Sequence, residues 1–160
     1  WSPGRSIPMS LLDAIKGSPN GALPLPWLAT AGQPTAEQFA AARDAGVKVV
    51  IDLRDPMEPR PFDEAATLTA LGISYINVPV VSGALSDQVM EKVLAAVRAH
   101  ANEPTILHCA SANRVGGALI PYFILDQGMD EQAAVDAAMA VGLRSAELME
   151  WGLDYARRQG

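Results

Sequence analysis

The chain has 160 residues, 49% apolar and 19% charged, which suits one domain with a buried core and argues against disorder. Its net charge is −6, with no Lys/Arg run longer than Arg157–Arg158, so a nucleic-acid backbone or an anionic membrane is a poor electrostatic match. One cysteine and two histidines, His100 and His108, exclude an internal disulfide, a cysteine-based zinc cluster and a His-rich metal site, and no apolar run nears the roughly 20 residues of a membrane span. The first residue is Trp1, so a trimmed leader fits; the compartment, cytoplasmic or periplasmic, and the oligomeric state stay open.

Taken in order, residues 1–26 are rich in Pro, Gly and Ser, with one amphipathic patch from Ile7 to Ile15. They predict an irregular arm with a turn or two of helix, ahead of a single domain over 27–160. Trp27 to Thr30 reads as a short strand. Thr35 is a good N-cap with Gln38 three residues on, the pattern of a capping box, and Gly46 stops the helix that follows. Val47 to Leu53 is a β-branched apolar run, a buried strand whose tip, Asp52 and Arg54, reaches a site. Three prolines between Asp55 and Pro61 require a loop. Glu64 to Leu71 has a helical pattern ending at Gly72, and Ile73 to Val80 is the next strand. Ser86 and Asp87 open a helix that closes before Pro104, and Thr105 to His108 is a further buried strand. Three helical segments finish the chain: Val115 to Gln127, Asp130 to Ala140 and Ser145 to Arg157. Strands alternating with helices predict an α/β fold: a mostly parallel sheet of four to five strands, helices on both faces, and a helical C-terminal tail.

The chemistry concentrates where the Thr105–His108 strand hands over to a helix. Cys109, the only cysteine, sits at this turn with Arg114 five positions later. Loop N–H groups and the positive end of the helix converge there, a setting that favours an anion and stabilises a thiolate. A cation in the first helical turn opposes the macrodipole; an oxyanion partner gives Arg114 a reason to be there. Ser111 and Asn113 can brace the loop, Asn113 tolerates left-handed dihedrals, and Gly116 and Gly117 let the helix lie close to the sheet. Cys109 also reads as a small core hydrophobe, and His108 as a satisfied core histidine.

His108-Cys109 with Arg114 resembles the signature loop of the cysteine-dependent phosphatases, the protein tyrosine and dual-specificity superfamily. That superfamily usually has five residues between Cys and Arg; here there are four. The shorter spacing is similar to the phosphatase-like domain found with β-lactamase-like hydrolases, and to rhodanese sulfurtransferases. Gln33–Pro34, Val50 to Arg54, Tyr75 to Val80 and His108 to Gly116 match the former in order, from about Trp27 onward. Ile51 to Asp55 resembles an early rhodanese strand, but the Gly-Gly…Trp stretch expected after the catalytic helix is missing.

The resemblance implies a phosphatase-like (dual-specificity type) domain, working as a metal-independent protein-tyrosine/dual-specificity-like phosphatase with no cofactor. Its substrate would be a phosphorylated small molecule or phosphoprotein. Cys109 would attack a phosphomonoester to give a thiophosphate intermediate. The amides of Ala110, Ser111, Ala112, Asn113, Arg114 and Val115, with the Arg114 side chain, would hold the phosphate oxygens, and His108 would support the loop. Val115 stands where a hydroxyl residue commonly follows the Arg. No carboxylate occupies the expected general-acid place after the third strand; Asp87 and Asp55 are the alternatives. Two other readings stay open: a rhodanese-like sulfurtransferase with a Cys109 persulfide, and a catalytically weak module that binds phosphate or a phosphoprotein.

Overall fold

The computed structural model describes residues 10–159; the amphipathic patch therefore enters it only from Ser10, and Ile7 to Met9 lie outside the described residues. Five strands, β1 (Ala22–Leu25), β2 (Leu28–Ala31), β3 (Val49–Asp52), β4 (Ser74–Asn77) and β5 (Thr105–His108), form one sheet in the order β1-β2-β5-β3-β4. β1 is antiparallel to β2, and every other pairing is parallel. The helices are α1 (Leu11–Ile15), α2 (Ala36–Asp44), α3 (Glu64–Ala70), α4 (Asp87–Ala99), α5 (Asn113–Pro121), α6 (Glu131–Val141) and α7 (Ala146–Gln159).

The inner parallel strands β2, β5 and β3 are buried along their whole length because both of their faces are covered, whereas β4, at the edge, is only half-buried. Alternate residues feed two cores. Leu28, Val49, Ile51 and Leu107 pack with α4 to α7, whereas Ala29, Val50 and Ile106 pack with α1 to α3. Helix starts follow local chemistry. Thr35 Oγ1 accepts from the Gln38 N–H at 3.1 Å while Gln38 Oε1 accepts from the Thr35 N–H at 2.8 Å, completing the capping box. Ser86 and Asp63 are simpler caps of α4 and α3, accepting from the N–H groups of Val89 and Ala66.

Two expectations change. The arm has the short helix expected of it, α1, but it is not otherwise irregular after residue 10, because it also holds the antiparallel strand β1. Pro24 and Pro26 mask this strand in the sequence, but β1 is a sheet edge, where one side of the backbone needs no ladder bond. Gly116 and Gly117 bring α5 close to its helical neighbours, not to the sheet. A Cβ at Gly117 would lie 2.9 Å from the Leu148 carbonyl oxygen of α7, and one at Gly116 would lie 2.8 Å from Leu143 Cβ. Pro121 has no N–H for the Gly117 carbonyl four residues back, and Gly152 of α7 packs onto that oxygen, where a Cβ would be 2.5 Å away. Beyond Pro121 the helix widens into a π-helical turn, Tyr122–Asp126.

Candidate active site

His108 pairs with Ala31 of β2 and Asp52 of β3, so three parallel strands end level. Cys109 to Ala112 cross that carboxyl edge and enter α5, the place where open α/β sheets carry ligands. The loop is tied outward. The Ala110 carbonyl accepts from the Gln33 N–H at 3.0 Å, and the Ser111 carbonyl accepts from Asn20 Nδ2 at 2.9 Å. The first bond of α5 runs from the Gly116 N–H to the Ala112 carbonyl. The N–H groups of Ala110, Ser111, Asn113, Arg114 and Val115 consequently have no acceptor among the described residues. Several donors at one helix entrance make an anion cradle.

The left-handed residue in this loop is Ala112, with φ +70°, and not Asn113. Gly142 leaves room for it: a Cβ there would sit 3.0 Å from Ala112 Cβ. Asn113 does brace the site, but by reaching the start of α7, where its Oδ1 accepts from the Arg144 and Ser145 N–H groups at 2.8 and 3.2 Å.

Arg114 is gripped by a residue that sequence reading did not select. Its Nη1 and Nη2 donate to Glu58 at 2.7 and 2.9 Å, and Nη1 also donates to the Val80 carbonyl at 3.2 Å. A guanidinium has five N–H bonds in a fixed fork. End-on pairing with Glu58 and the bond to Val80 leave the Nε–H and one Nη2–H along the lateral edge, the geometry that holds an oxyanion bidentately. The Glu58 carboxyl is held down at about 2, first by the Arg114 bonds, with burial opposing and the Asp55 N–H assisting. The Arg114 guanidinium is pushed up, first by Glu58, with burial opposing, and further by its neighbour Cys109. Cys109 is itself fully buried within the larger apolar cluster. A cleft of about 440 Å³ adjoins the loop, lined by Asp55, Glu58, Ser82, Ser111, Asn113 and Arg114, among others, and Cys109 is not part of that lining.

The two general-acid candidates part company. Asp55 lines the cleft, on the same proline-rich loop as Glu58, and its N–H donates to Glu58 Oε2 at 2.6 Å. Asp87 does not line it: at the exposed start of α4 its carboxylate accepts from Arg158 Nε at 3.2 Å and is also bound by Nη2. A first-turn acid facing a C-terminal arginine of α7 is a surface ion pair. Arg54 is no cleft residue either; it is buried, donating to Gln33 Oε1 and the Pro59 carbonyl, and it clamps the Glu58 loop from behind.

Beneath the loop lies a charged layer. His108 Nε2 is 2.7 Å from Glu64 Oε2, and Glu64 Oε1 accepts from Gln33 Nε2 at 2.7 Å. Asp52 Oδ2 accepts from Arg60 Nη1 and Tyr75 Oη, both at 2.7 Å, and its Oδ1 accepts from the Arg54 N–H at 2.9 Å. Burial would raise the Asp52 carboxyl, but the attraction of His108 and the bonds from Tyr75, Arg60 and the Arg54 N–H hold it below its ordinary value. Burial, and then the bond to Asp52, push the Tyr75 hydroxyl up. Asp52, Glu64 and His108 lie close enough together to be considered as metal ligands, but their carboxylate oxygens are already engaged by protein donors. Glu58 and Glu64 escaped sequence reading because a glutamate in a proline-rich loop and one in a first helical turn are both common solvent-facing residues.

A family model of DSP-PTPase phosphatases fused to NAD+ kinase matches residues 26–150. No curated protein matches the chain. Solved structures do. A candidate phosphatase (DUF442) of Shewanella putrefaciens CN-32 aligns with a TM-score of 0.80 at 21% identity, over 93% of this chain and 99% of its own. TpbA of P. aeruginosa aligns at 0.68 with 25% identity, over 87% and 84%, and a cysteine-to-serine form of it is seen in complex with phosphotyrosine. The core catalytic domain of the PP-IP phosphatase SIW14 of S. cerevisiae aligns at 0.72 with 18% identity, over 88% and 91%. These likenesses confirm the α/β phosphatase fold.

Proposed function

We propose a mechanism from one premise: the chain belongs to the family of DSP-PTPase phosphatases fused to NAD+ kinase. In this reading Cys109 is the nucleophile of a phosphomonoester hydrolase. Its thiolate attacks phosphorus in line, forming the S–P bond as the bond to the leaving oxygen breaks. Asp55, on the cleft wall, protonates that oxygen. Water, giving a proton back to Asp55, then attacks the phosphocysteine; the S–P bond breaks, inorganic phosphate leaves and the thiolate is restored. The lateral edge of Arg114 and the amides of Ala110, Ser111, Asn113, Arg114 and Val115 receive the non-bridging oxygens, where charge must be stabilised in the transition state. His108 supports the loop from below, and Ala112 shapes it. No step draws on a metal or cofactor.

The observation that carries the reading is the lateral edge of Arg114, left over by its bonds to Glu58 and Val80, beside loop amides that have no acceptor among the described residues and the single cysteine. The phosphotyrosine complex of TpbA makes an aryl phosphate the first substrate class to try. The comparisons lend nothing to a sulfurtransferase or to a binding-only module. The test is hydrolysis of p-nitrophenyl phosphate, with a chelator present, by the wild type and Cys109→Ser, alongside thiocyanate formation from thiosulfate and cyanide. Chelator-resistant phosphate release that disappears in Cys109→Ser is expected. Release that survives the substitution, or thiocyanate without phosphate, would overturn the mechanism.

A further inference from the structure

His108 is fully buried, yet both of its ring nitrogens face oxygen atoms. Nε2 lies 2.7 Å from Glu64 Oε2, and Nδ1 lies 3.3 Å from the Cys109 carbonyl oxygen. A neutral imidazole has one N–H and serves one acceptor. Engaging both requires a second proton in the pair, shared across the short Nε2···Oε2 contact. Glu64 is only 3% exposed, and its other oxygen meets the neutral amide of Gln33. His108 is thus the one side chain bonded to Glu64 that can carry the offsetting charge, and a buried carboxylate without one is costly.

The remaining surroundings are consistent with a cation here. From β3, Asp52 Oδ1 is 3.9 Å from Nε2, while its Oδ2 is committed to Arg60 of the loop and Tyr75 of β4. Arg54 is turned onto Gln33 and Pro59. From α2 the facing group is the Phe39 ring, 5.9 Å away and not titratable. Cys109 is the next residue in the chain.

We propose that Glu64 is a positioning residue for the nucleophile: by keeping His108 doubly protonated it aims the Cys109 carbonyl and sets a positive charge behind the thiolate. The assignment rests on the reading of Cys109 as nucleophile. Glu64 touches no substrate; it acts through His108. Its place in the first turn of α3, under the Asp63 cap, gives it a rigid mount.

The experiment follows the ultraviolet absorbance of the thiolate against pH, referenced to Cys109→Ser. The chain has one cysteine, so the signal belongs to Cys109 and needs no turnover. Glu64→Gln keeps size and hydrogen-bonding capacity but removes the charge. Its thiolate transition should move up by about one pH unit, the low end for losing an opposite charge nearby. On an aryl phosphate, kcat below that transition should fall about tenfold while KM stays within about twofold. Glu64→Asp, which retains the charge, should hold the transition closer to wild type, and it serves as the second variant if Glu64→Gln fails to fold. In a His108→Asn background, Glu64→Gln should produce no further shift. An unmoved transition in Glu64→Gln, a Glu64→Asp curve as displaced as that of Glu64→Gln, or an undiminished shift in the His108→Asn background would each overturn the assignment. A wild type that shows the expected titrations but releases no phosphate would instead overturn the phosphatase mechanism and leave the Glu64–His108 coupling intact.

Discussion

Glu58→Gln probes whether Glu58 orients Arg114 or competes with substrate for it. The Glu58 carboxyl moves from 4.5 to about 2 on folding, first through its bonds to Arg114, with burial opposing. Taken whole, that displacement is roughly 3 kcal/mol. The side chain is 28% exposed, and solvent screening brings the expected contribution to about 1 kcal/mol. The folded-state value is depressed, so the unfolded chain binds the proton more readily. The stabilisation is therefore complete above about 4.5 and is lost as pH falls through about 2. Urea unfolding of wild type and variant should differ by about 1 kcal/mol at neutral pH, and the difference should shrink as pH falls from 4.5 towards 2. Activity offers the sharper readout. Loss of the end-on grip frees the guanidinium to rotate, and about 1 to 2 kcal/mol of transition-state stabilisation corresponds to roughly a tenfold fall in kcat/KM. A Glu58→Gln enzyme with equal or higher kcat/KM would refute the argument, because Glu58 would then occupy the edge that substrate needs.

Two further perturbations separate chemistry from packing. Asp55→Asn removes the carboxyl on the cleft wall, so hydrolysis of an alkyl phosphate should fall by about 100-fold or more while p-nitrophenyl phosphate, with its good leaving group, is affected much less. Equal losses on both substrates would remove Asp55 from the proton-donor role. Gly152→Ala places a Cβ 2.5 Å from the Gly117 carbonyl oxygen, a backbone atom that cannot swing aside. Separating α5 from α7 should cost about 1 to 3 kcal/mol, and thermal unfolding should show a Tm lower by roughly 3 to 10 °C; an unchanged Tm would mean that the helices part without penalty.

Much of the fold is written in local pattern. The β-branched run at Val49–Ile51, the Thr35 and Gln38 capping box and the Ser86 start of α4 depend on residues within a few positions of one another, so periodicity and capping chemistry expose them. The loop from His108 to Arg114 is likewise local, since a strand end, a cysteine and a helix entrance follow in one stretch. β1 was hidden because an edge strand is defined by its neighbour, and Pro24 alone argues against it. The same holds for the groups that surround the loop. Glu58 reaches Arg114 across 56 positions, Glu64 reaches His108 across 44, and Asn20 reaches Ser111 across 91. Asp55 and Asp87 look equally eligible in the chain, and only the packing of α7 against the start of α4 takes Asp87 away to Arg158. By itself the sequence determined the strand–loop–helix stretch from His108 to Arg114 and the layers that carry it, because each rests on short-range geometry. The tertiary structure alone decided which carboxylates surround that loop, because a charge acts through space on whatever the fold places beside it.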